Sequence, residues 1–118
     1  MTAFARTSGG GLIAIPDSFT VEHRDQIISQ AANNRLPALY ANRAFTLAGG
    51  LMSYAVDTRG LFQRSTTYVD RILNGARPSE LPVQQPTKFD LVINLKTAKA
   101  LGLEVPPMLV ARADEVIE

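Results

Sequence analysis

Short apolar runs, each ending at glycine, proline or a polar turn residue, constrain the fold of this chain more than any other feature. Each run has the length of a strand rather than of a helix. The first is continuously apolar, which is typical of a strand buried on both faces, as in parallel sheets. The four runs span Leu12–Pro16, Leu36–Ala41, Gly49–Val56 and Lys88–Asn94.

Segments with helical periodicity separate these runs. The segment from Thr20 to Asn33 places most of its apolar residues on one face, and Asp17, Ser18 or Thr20 can cap its start. Strand, helix and strand joined by short connections predict a βαβ unit with a right-handed crossover. The chain is therefore expected to belong to the α/β class, with a parallel sheet flanked by helices. The stretch from Asn42 to Ala48 fits either a helical turn or a loop.

The clearest helical signal runs from Thr58, a possible cap, to Asn74. Gly75 follows where a left-handed C-terminal residue is expected. Residues 76–87 contain three prolines and are predicted to form a linker. The apolar stripe of this helix consists of Leu61, Phe62, Ser65, Val69, Ile72 and Leu73.

The last 30 residues predict one more strand and two short helices. Asn94 ends the fourth apolar run and is placed to cap a helix from Leu95 to Leu101, which Gly102 ends. Beyond the next two prolines, Leu109 to Val116 is predicted to be a short helix.

Composition excludes several classes of function. With no cysteine, the chain has no disulfide, thiolate nucleophile or cysteine metal site. Its 12 basic and 11 acidic residues give a net charge of +1 and no electrostatic reason to expect nucleic acid as a partner. No apolar run is long enough to cross a bilayer. The start, Met1 to Arg6, lacks the apolar stretch of a secretory signal, so export of the chain as it stands is not expected.

Polar and aromatic residues gather where the first three predicted strands end. In an open parallel sheet, ligands bind outside the carboxyl ends of the strands. A carboxylate, hydroxyl groups and aromatic rings there suit a small polar or zwitterionic solute stacked on a ring. The predicted ligand-binding residues are Asp17, Ser18, Tyr40, Ser53 and Tyr54.

Other motifs favour structural interpretations. Gly9, Gly10 and Gly11 precede a strand, whereas a phosphate-binding loop follows one. His23, the only histidine, has no cysteine or second histidine with which to form a common metal site. In a nucleophile elbow a glycine stands two residues after the serine, whereas Ala55 stands there after Ser53. Ser53 is therefore expected to hydrogen-bond locally. No catalytic residue, metal or cofactor is therefore predicted.

From Gly10 onward the chain resembles the C-terminal part of bacterial ABC-transporter substrate-binding proteins of the tryptophan and aromatic amino-acid-binding group. Two departures are Ala55, where the family usually has glycine, and the loop at Asn42 to Ala44. The segments that carry the resemblance are Leu12–Asp17, Ala48–Tyr54, Tyr68–Gly75 and Leu81–Leu103.

The resemblance implies a type I periplasmic-binding fold, in which two Rossmann-like lobes hold a solute and present it to a membrane permease. Residues 1–57 would form the second part of the C-terminal lobe, 58–87 the returning helix with its linker, and 88–118 the end of the lobe. The implied solute is an amino acid or aromatic acid, the implied location is the periplasm, and no enzymatic activity is expected.

Two alternatives stay open at this stage. A free-standing Rossmann-like enzyme would need Asp17 or His23 as its general base. A vestigial fragment would self-associate and bind nothing. If the chain is a fragment of a substrate-binding protein, the stripe of the helix from Thr58 lacks the first lobe on which the resemblance implies that it packs, so a homodimer is predicted.

Overall fold

The structure, a computed structural model, describes residues 9–118. The prediction about a secretory signal in Met1 to Arg6 lies outside these residues. The described chain divides into two compact units. Unit 1 comprises residues 9–55 and 90–118, and unit 2 comprises residues 56–89.

Residues 9–118 contain one five-stranded sheet with the strand order β1-β2-β3-β4-β5. Strand β1 pairs in parallel with β2, β2 with β3, and β4 with β5. Between β3 and β4, Asn94 N–H donates to the Leu51 carbonyl at 2.8 Å and Asp57 N–H to the Lys88 carbonyl at 3.1 Å, so these two strands run in opposite directions. The predicted α/β class is confirmed, and the sheet is mostly parallel. The strands are β1 (Leu12–Ala14), β2 (Ala38–Tyr40), β3 (Met52–Val56), β4 (Phe89–Asn94) and β5 (Glu115–Ile117).

Six helices lie in the described residues, with a 3₁₀ turn at Pro78–Glu80 inside the predicted linker. The single helix predicted from Thr20 to Asn33 is wrong, because the chain breaks at His23 into two helices. Asn42 to Ala48, left open between helix and loop, contains a short helix. The helices are α1 (Ser18–Glu22), α2 (Arg24–Asn33), α3 (Arg43–Leu47), α4 (Thr58–Leu73), α5 (Leu95–Leu101) and α6 (Pro107–Ala111).

Side-chain caps explain where several helices begin. Asp17 caps α1 and Asn94 caps α5, as predicted. Helix α4 is capped by Asp57 and not by Thr58, because the Asp57 carboxylate accepts a hydrogen bond from Gly60 N–H at 3.0 Å. That backbone hydrogen bond, with a smaller effect of Lys88, lowers the pKa of Asp57 below its ordinary value of 3.8. At the helix ends, Gly75 and Gly102 have positive φ, as predicted.

A buried cluster of unit 1 lies on one face of the sheet, between α2 and strands β1 and β2, while Val92 and Ile93 bury both faces of β4. Ala31 of α2 packs there against Ala38, Tyr40 and Phe45, and partly buried Ile27 and Ile28 join them. Leu12 and Ala14 of β1 also pack on this cluster. The opposite face of β1 is open: Ile13 is 72% exposed. The prediction that this strand is buried on both faces is therefore wrong, since β1 is an edge strand.

The C-terminal segment ends in a strand that local pattern did not predict. The short helix predicted from Leu109 to Val116 is wrong, because α6 ends at Ala111 and Glu115–Ile117 forms β5. This strand pairs with Val92, Ile93 and Asn94. A three-residue strand has little propensity of its own, so its partner determines its conformation.

Unit 2 consists of α4 and the proline-rich segment after it. Helix α4 has no buried residue along its length. Its apolar stripe is exposed at Phe62, Val69, Ile72 and Leu73, of which Leu73 is 81% exposed. Tyr68 Oη donates to the Pro82 carbonyl at 2.6 Å and so ties the proline-rich segment to the helix.

Candidate functional site

The parallel register aligns the ends of β1 and β2, whereas β3 extends three residues beyond them, to Val56. The prediction that the third strand ends at Ser53 and Tyr54 is therefore wrong. Ala14 pairs with Tyr40, and Tyr40 pairs with Ser53. Immediately beyond this row the chain leaves β1 toward Asp17, leaves β2 toward Asn42, and continues along β3 to Tyr54. We call the edge formed by Asp17, Ser18, Asn42, Arg43 and Tyr54 the strand-end surface.

Asp17 and Ser18 occupy the start of α1 on this surface, and both are exposed. Asp17 Oδ1 accepts a hydrogen bond from Phe19 N–H at 2.6 Å, while Asp17 N–H donates to Thr20 Oγ1 at 3.1 Å. This capping box fixes the carboxylate without using all its acceptor capacity. The Ser18 hydroxyl, on the first helical residue, also faces solvent. The carboxylate of Asp17 and the hydroxyl of Ser18 therefore belong to adjacent exposed residues.

Tyr40 lies in the core and not on the strand-end surface. It is 2% exposed, and its ring stacks on Phe45 with a centroid distance of 4.9 Å. Burial raises the pKa of Tyr40 to about 12. A Cβ atom added at Gly50 would lie 2.6 Å from the Tyr40 ring, so glycine at that position is needed for this packing. The ring is thus not available to a solute.

Ser53 is also fully buried, with 0% exposure. Within the described residues its hydroxyl has no hydrogen-bond partner, and neither does that of buried Thr46. The prediction that Ser53 hydrogen-bonds locally is therefore wrong.

Tyr54 lies on the open side of β3. Adjacent residues in a strand point to opposite faces, so Tyr54 is 54% exposed although Ser53 beside it is buried. Ile13, Leu39 and Met52 form a row on the same open face, because they pair across β1, β2 and β3. The Tyr54 ring thus adjoins a partly exposed apolar surface.

Asn42 and Arg43 complete the strand-end surface, and the sequence did not single them out. Asn42 Oδ1 accepts from Ala44 N–H at 2.9 Å and caps α3. Arg43 Nε donates to Glu115 Oε2 at 3.1 Å, so the start of β5 orients the guanidinium. The sequence does hold one indication of Asn42: it directly follows the second apolar run, as Asp17 directly follows the first.

His23 takes no part in this surface. It ends α1 and begins α2, and its ring stacks on Phe19 with a centroid distance of 4.1 Å. Its Nδ1 lies 2.9 Å from the Phe19 carbonyl oxygen. The structural interpretation of this histidine is thereby supported. Residues 9–118 hold no group of three or more histidine, aspartate or glutamate side chains suited to a metal ion.

A larger concavity lies elsewhere, between α5 and α6. Its volume is about 810 Å³, and its lining includes Leu95, Leu103, Val105 and Val110. None of the five predicted residues lines it. Small-molecule sites combine apolar walls with converging polar groups. Because this groove is mostly apolar and open, the strand-end surface is the better candidate for a polar solute.

Three comparisons with known proteins bear on this chain. A family model described as "ABC transporter substrate binding protein" matches residues 1–117. No protein of curated function matches the sequence.

Across residues 9–118 no helix combines the length and apolarity needed to cross a membrane.

Solved structures share the fold. A conserved domain protein from Vibrio cholerae is similar, with 28% identity and a TM-score of 0.86 over 98% of this chain and 38% of that one. An ABC domain from Streptococcus pneumoniae, solved in complex with L-Trp, has 24% identity and a TM-score of 0.84 over 98% of this chain and 39% of that one. A ligand-free, open substrate binding protein with adhesive properties from Clostridium difficile has 21% identity and a TM-score of 0.65, over 91% and 36%. The chain thus spans less than two fifths of each of these proteins.

Proposed function

Since the chain belongs to the family of ABC transporter substrate binding proteins, which bind ligands rather than catalyse reactions, we propose that it forms part of the solute-binding component of an ABC importer. The proposed solute is an amino acid or aromatic acid. The observation that supports this proposal is the register of β1, β2 and β3, which places a carboxylate, a hydroxyl, a guanidinium and an aromatic ring beyond the paired residues Ala14, Tyr40 and Ser53. The proposed location is the periplasm or cell exterior, and the proposed partner is the importer's permease.

Three exposed groups of this surface each match one part of such a solute. Asp17 binds the ammonium group, because its carboxylate retains acceptor capacity beyond the cap. Ser18 donates to the solute carboxylate, and Tyr54 offers a ring face to an aromatic or branched side chain. Tyr40 and Ser53, both buried, support the surface from within the core.

The affinity of this chain alone is expected to be weak. A high-affinity site encloses most of its ligand, whereas the strand-end surface supplies a single wall. A dissociation constant of about 1 mM is therefore expected, since only part of the solute leaves water.

The experiment is a titration of the ¹⁵N-labelled chain with L-tryptophan, L-phenylalanine and glucose, followed by NMR. The amino acids should shift the backbone amide signals of residues 17–19 and 54, and glucose should not. Asp17→Asn, Ser18→Ala and Tyr54→Ala should each weaken the effect, whereas Glu22→Gln, at the far end of α1, should not. Absence of shifts with any amino or aromatic acid at about 10 mM, on a folded sample, would contradict the proposed site.

A second proposal, homodimer formation, is supported by the exposed stripe of α4. Leaving a large apolar side chain in water forfeits roughly 1.5–3 kcal/mol. Covering the stripe on two copies would remove about 1,000 Å² from water, the lower end of a specific interface. The exposed residues of this stripe are Phe62, Ser65, Val69, Ile72 and Leu73, whereas Leu61 is half-buried.

An antiparallel pair of α4 helices fits this stripe. Ser65 lies near the middle of the helix, and its hydroxyl donates to the Leu61 carbonyl at 3.0 Å. Because that hydroxyl is satisfied within its own helix, Ser65 can be buried at a two-fold axis without loss. Phe62 of one copy then lies opposite Val69 of the other.

A further inference from the structure

A second concavity, unrelated to the strand-end surface, lies within unit 2. Its volume is about 220 Å³. Every residue that lines it can donate a hydrogen bond, and none is acidic. The lining residues are Arg64, Thr67, Tyr68, Arg71 and Gln84.

Helix periodicity and one hydrogen bond build this concavity. Four of the lining residues have the spacing i, i+3, i+4 and i+7 on α4, which places them on one face of the helix. The hydrogen bond from Tyr68 Oη to the Pro82 carbonyl, 2.6 Å long, holds the proline-rich segment against this face. Gln84, two residues further along that segment, thereby closes one side of the concavity.

The two arginines carry charges that the described chain does not compensate. Neither Arg64 nor Arg71 forms an ion pair within residues 9–118. The acidic groups of unit 2 are all engaged elsewhere: Asp57 with Gly60 and Lys88, Asp70 with Asn74, and Glu80 with Arg77.

The concavity is also independent of the apolar stripe. Arg64 and Arg71 differ by seven residues, so they share one side of α4, about opposite to Phe62 and Val69. Pairing of the stripe with a second copy would leave this side in solvent.

We propose that this concavity binds a phosphate group, as inorganic phosphate or as the phosphate of a small monoester. Two guanidinium groups match the charge of a phosphate dianion, whereas a single carboxylate would leave one of them uncompensated. Thr67 and Gln84 add neutral donors for the remaining oxygens. A volume of about 220 Å³ accommodates the phosphate and leaves the rest of a larger monoester in solvent.

The test is calorimetric titration of the chain with inorganic phosphate and with glycerol 3-phosphate, in a phosphate-free buffer at constant ionic strength. Equal affinity would assign the site to the phosphate group alone, and tighter binding of glycerol 3-phosphate would assign it to a monoester. Affinity for glycerol 3-phosphate should increase as the pH rises from about 5.5 to 7.5, because a phosphate monoester acquires its second charge near pH 6 while arginine stays charged.

Matched variants make the test specific. Arg64→Gln and Arg71→Gln should each weaken phosphate binding about tenfold or more, as expected for loss of a charge-assisted hydrogen bond. Arg64→Lys and Arg71→Lys keep the charge and should weaken it less. Arg59→Gln, on α4 but outside the concavity, should change it less than about twofold.

Circular dichroism reports whether each variant keeps its helices. No heat of binding at about 10 mM phosphate, or equal binding by a folded variant lacking both arginines, would overturn the proposal. Neither result would affect the solute site, which lies in unit 1.

Discussion

The buried side chain of Asn94 connects two helices of unit 1 by way of the Thr46 backbone. Asn94 Nδ2 donates to the Thr46 carbonyl at 3.2 Å, near the end of α3, while Asn94 Oδ1 accepts from Thr97 N–H at 3.0 Å at the start of α5. Thr97 Oγ1 adds a hydrogen bond to the Gly49 carbonyl at 2.9 Å. One amide thus both caps a helix and fixes the loop that leads into β3.

Replacement of Asn94 is expected to destabilise unit 1 strongly. Asn94→Ala removes a cap and leaves the buried Thr46 carbonyl without this donor, at a cost of about 2–4 kcal/mol. Asn94→Asp keeps the oxygen that caps α5, but it loses the Nδ2 donor to the Thr46 carbonyl and buries a charge. This variant should therefore also destabilise unit 1. Chemical denaturation measures both. Asn74→Ala is the control, because Asn74 makes a similar hydrogen bond to Asp70 on an exposed helix end. Equal effects of Asn94→Ala and Asn74→Ala would contradict the role assigned to Asn94.

The buried hydroxyl of Tyr40 predicts a loss of stability in alkali. Burial raises its pKa to about 12, above the ordinary value of 10.0. As pH rises past 10 the unfolded chain ionises first, so the stabilisation is complete below pH 10 and is lost as pH approaches about 12. The loss should be about 2–3 kcal/mol, because each unit of difference between the two pKa values corresponds to about 1.4 kcal/mol.

Tyr40→Phe should remove this pH dependence between pH 10 and 12, where the native chain loses stability. Urea denaturation at a series of pH values measures it. Tyr54→Phe, on an exposed ring, is the control. An unchanged alkaline slope in Tyr40→Phe would show that another group is responsible.

The exposed stripe of α4 predicts a dimer that dissociates when one of its apolar residues becomes charged. Leu73→Asp should shift the chain from dimer to monomer in sedimentation velocity experiments at micromolar concentration, because burying the new carboxylate is costly. Arg59→Gln, outside the stripe, should leave the dimer intact. A stable, folded monomer of the unaltered chain at that concentration would refute the dimer.

The sequence determined the elements whose signals are local. Apolar runs of strand length located β1 to β4, and polar residues with the right spacing located the caps at Asp17 and Asn94. Gly75 and Gly102 marked helix ends, because glycine adopts the left-handed conformation with little strain. In each case the interaction joins residues within a few positions of one another, so its pattern is visible in the chain itself.

Pairing and burial were decided only by the tertiary structure. Residues 115–117 form a strand because β4 offers them unpaired backbone groups, and no local pattern distinguishes them from a helix end. Tyr40 and Tyr54 both lie in predicted strands. One is in the core and the other in solvent, because the sheet face that each occupies follows from its register with neighbouring strands. The sequence therefore predicted a solute site beyond the carboxyl ends of the first strands, and this stays a prediction. Which side chains reach those strand ends depends on contacts between residues far apart in the chain.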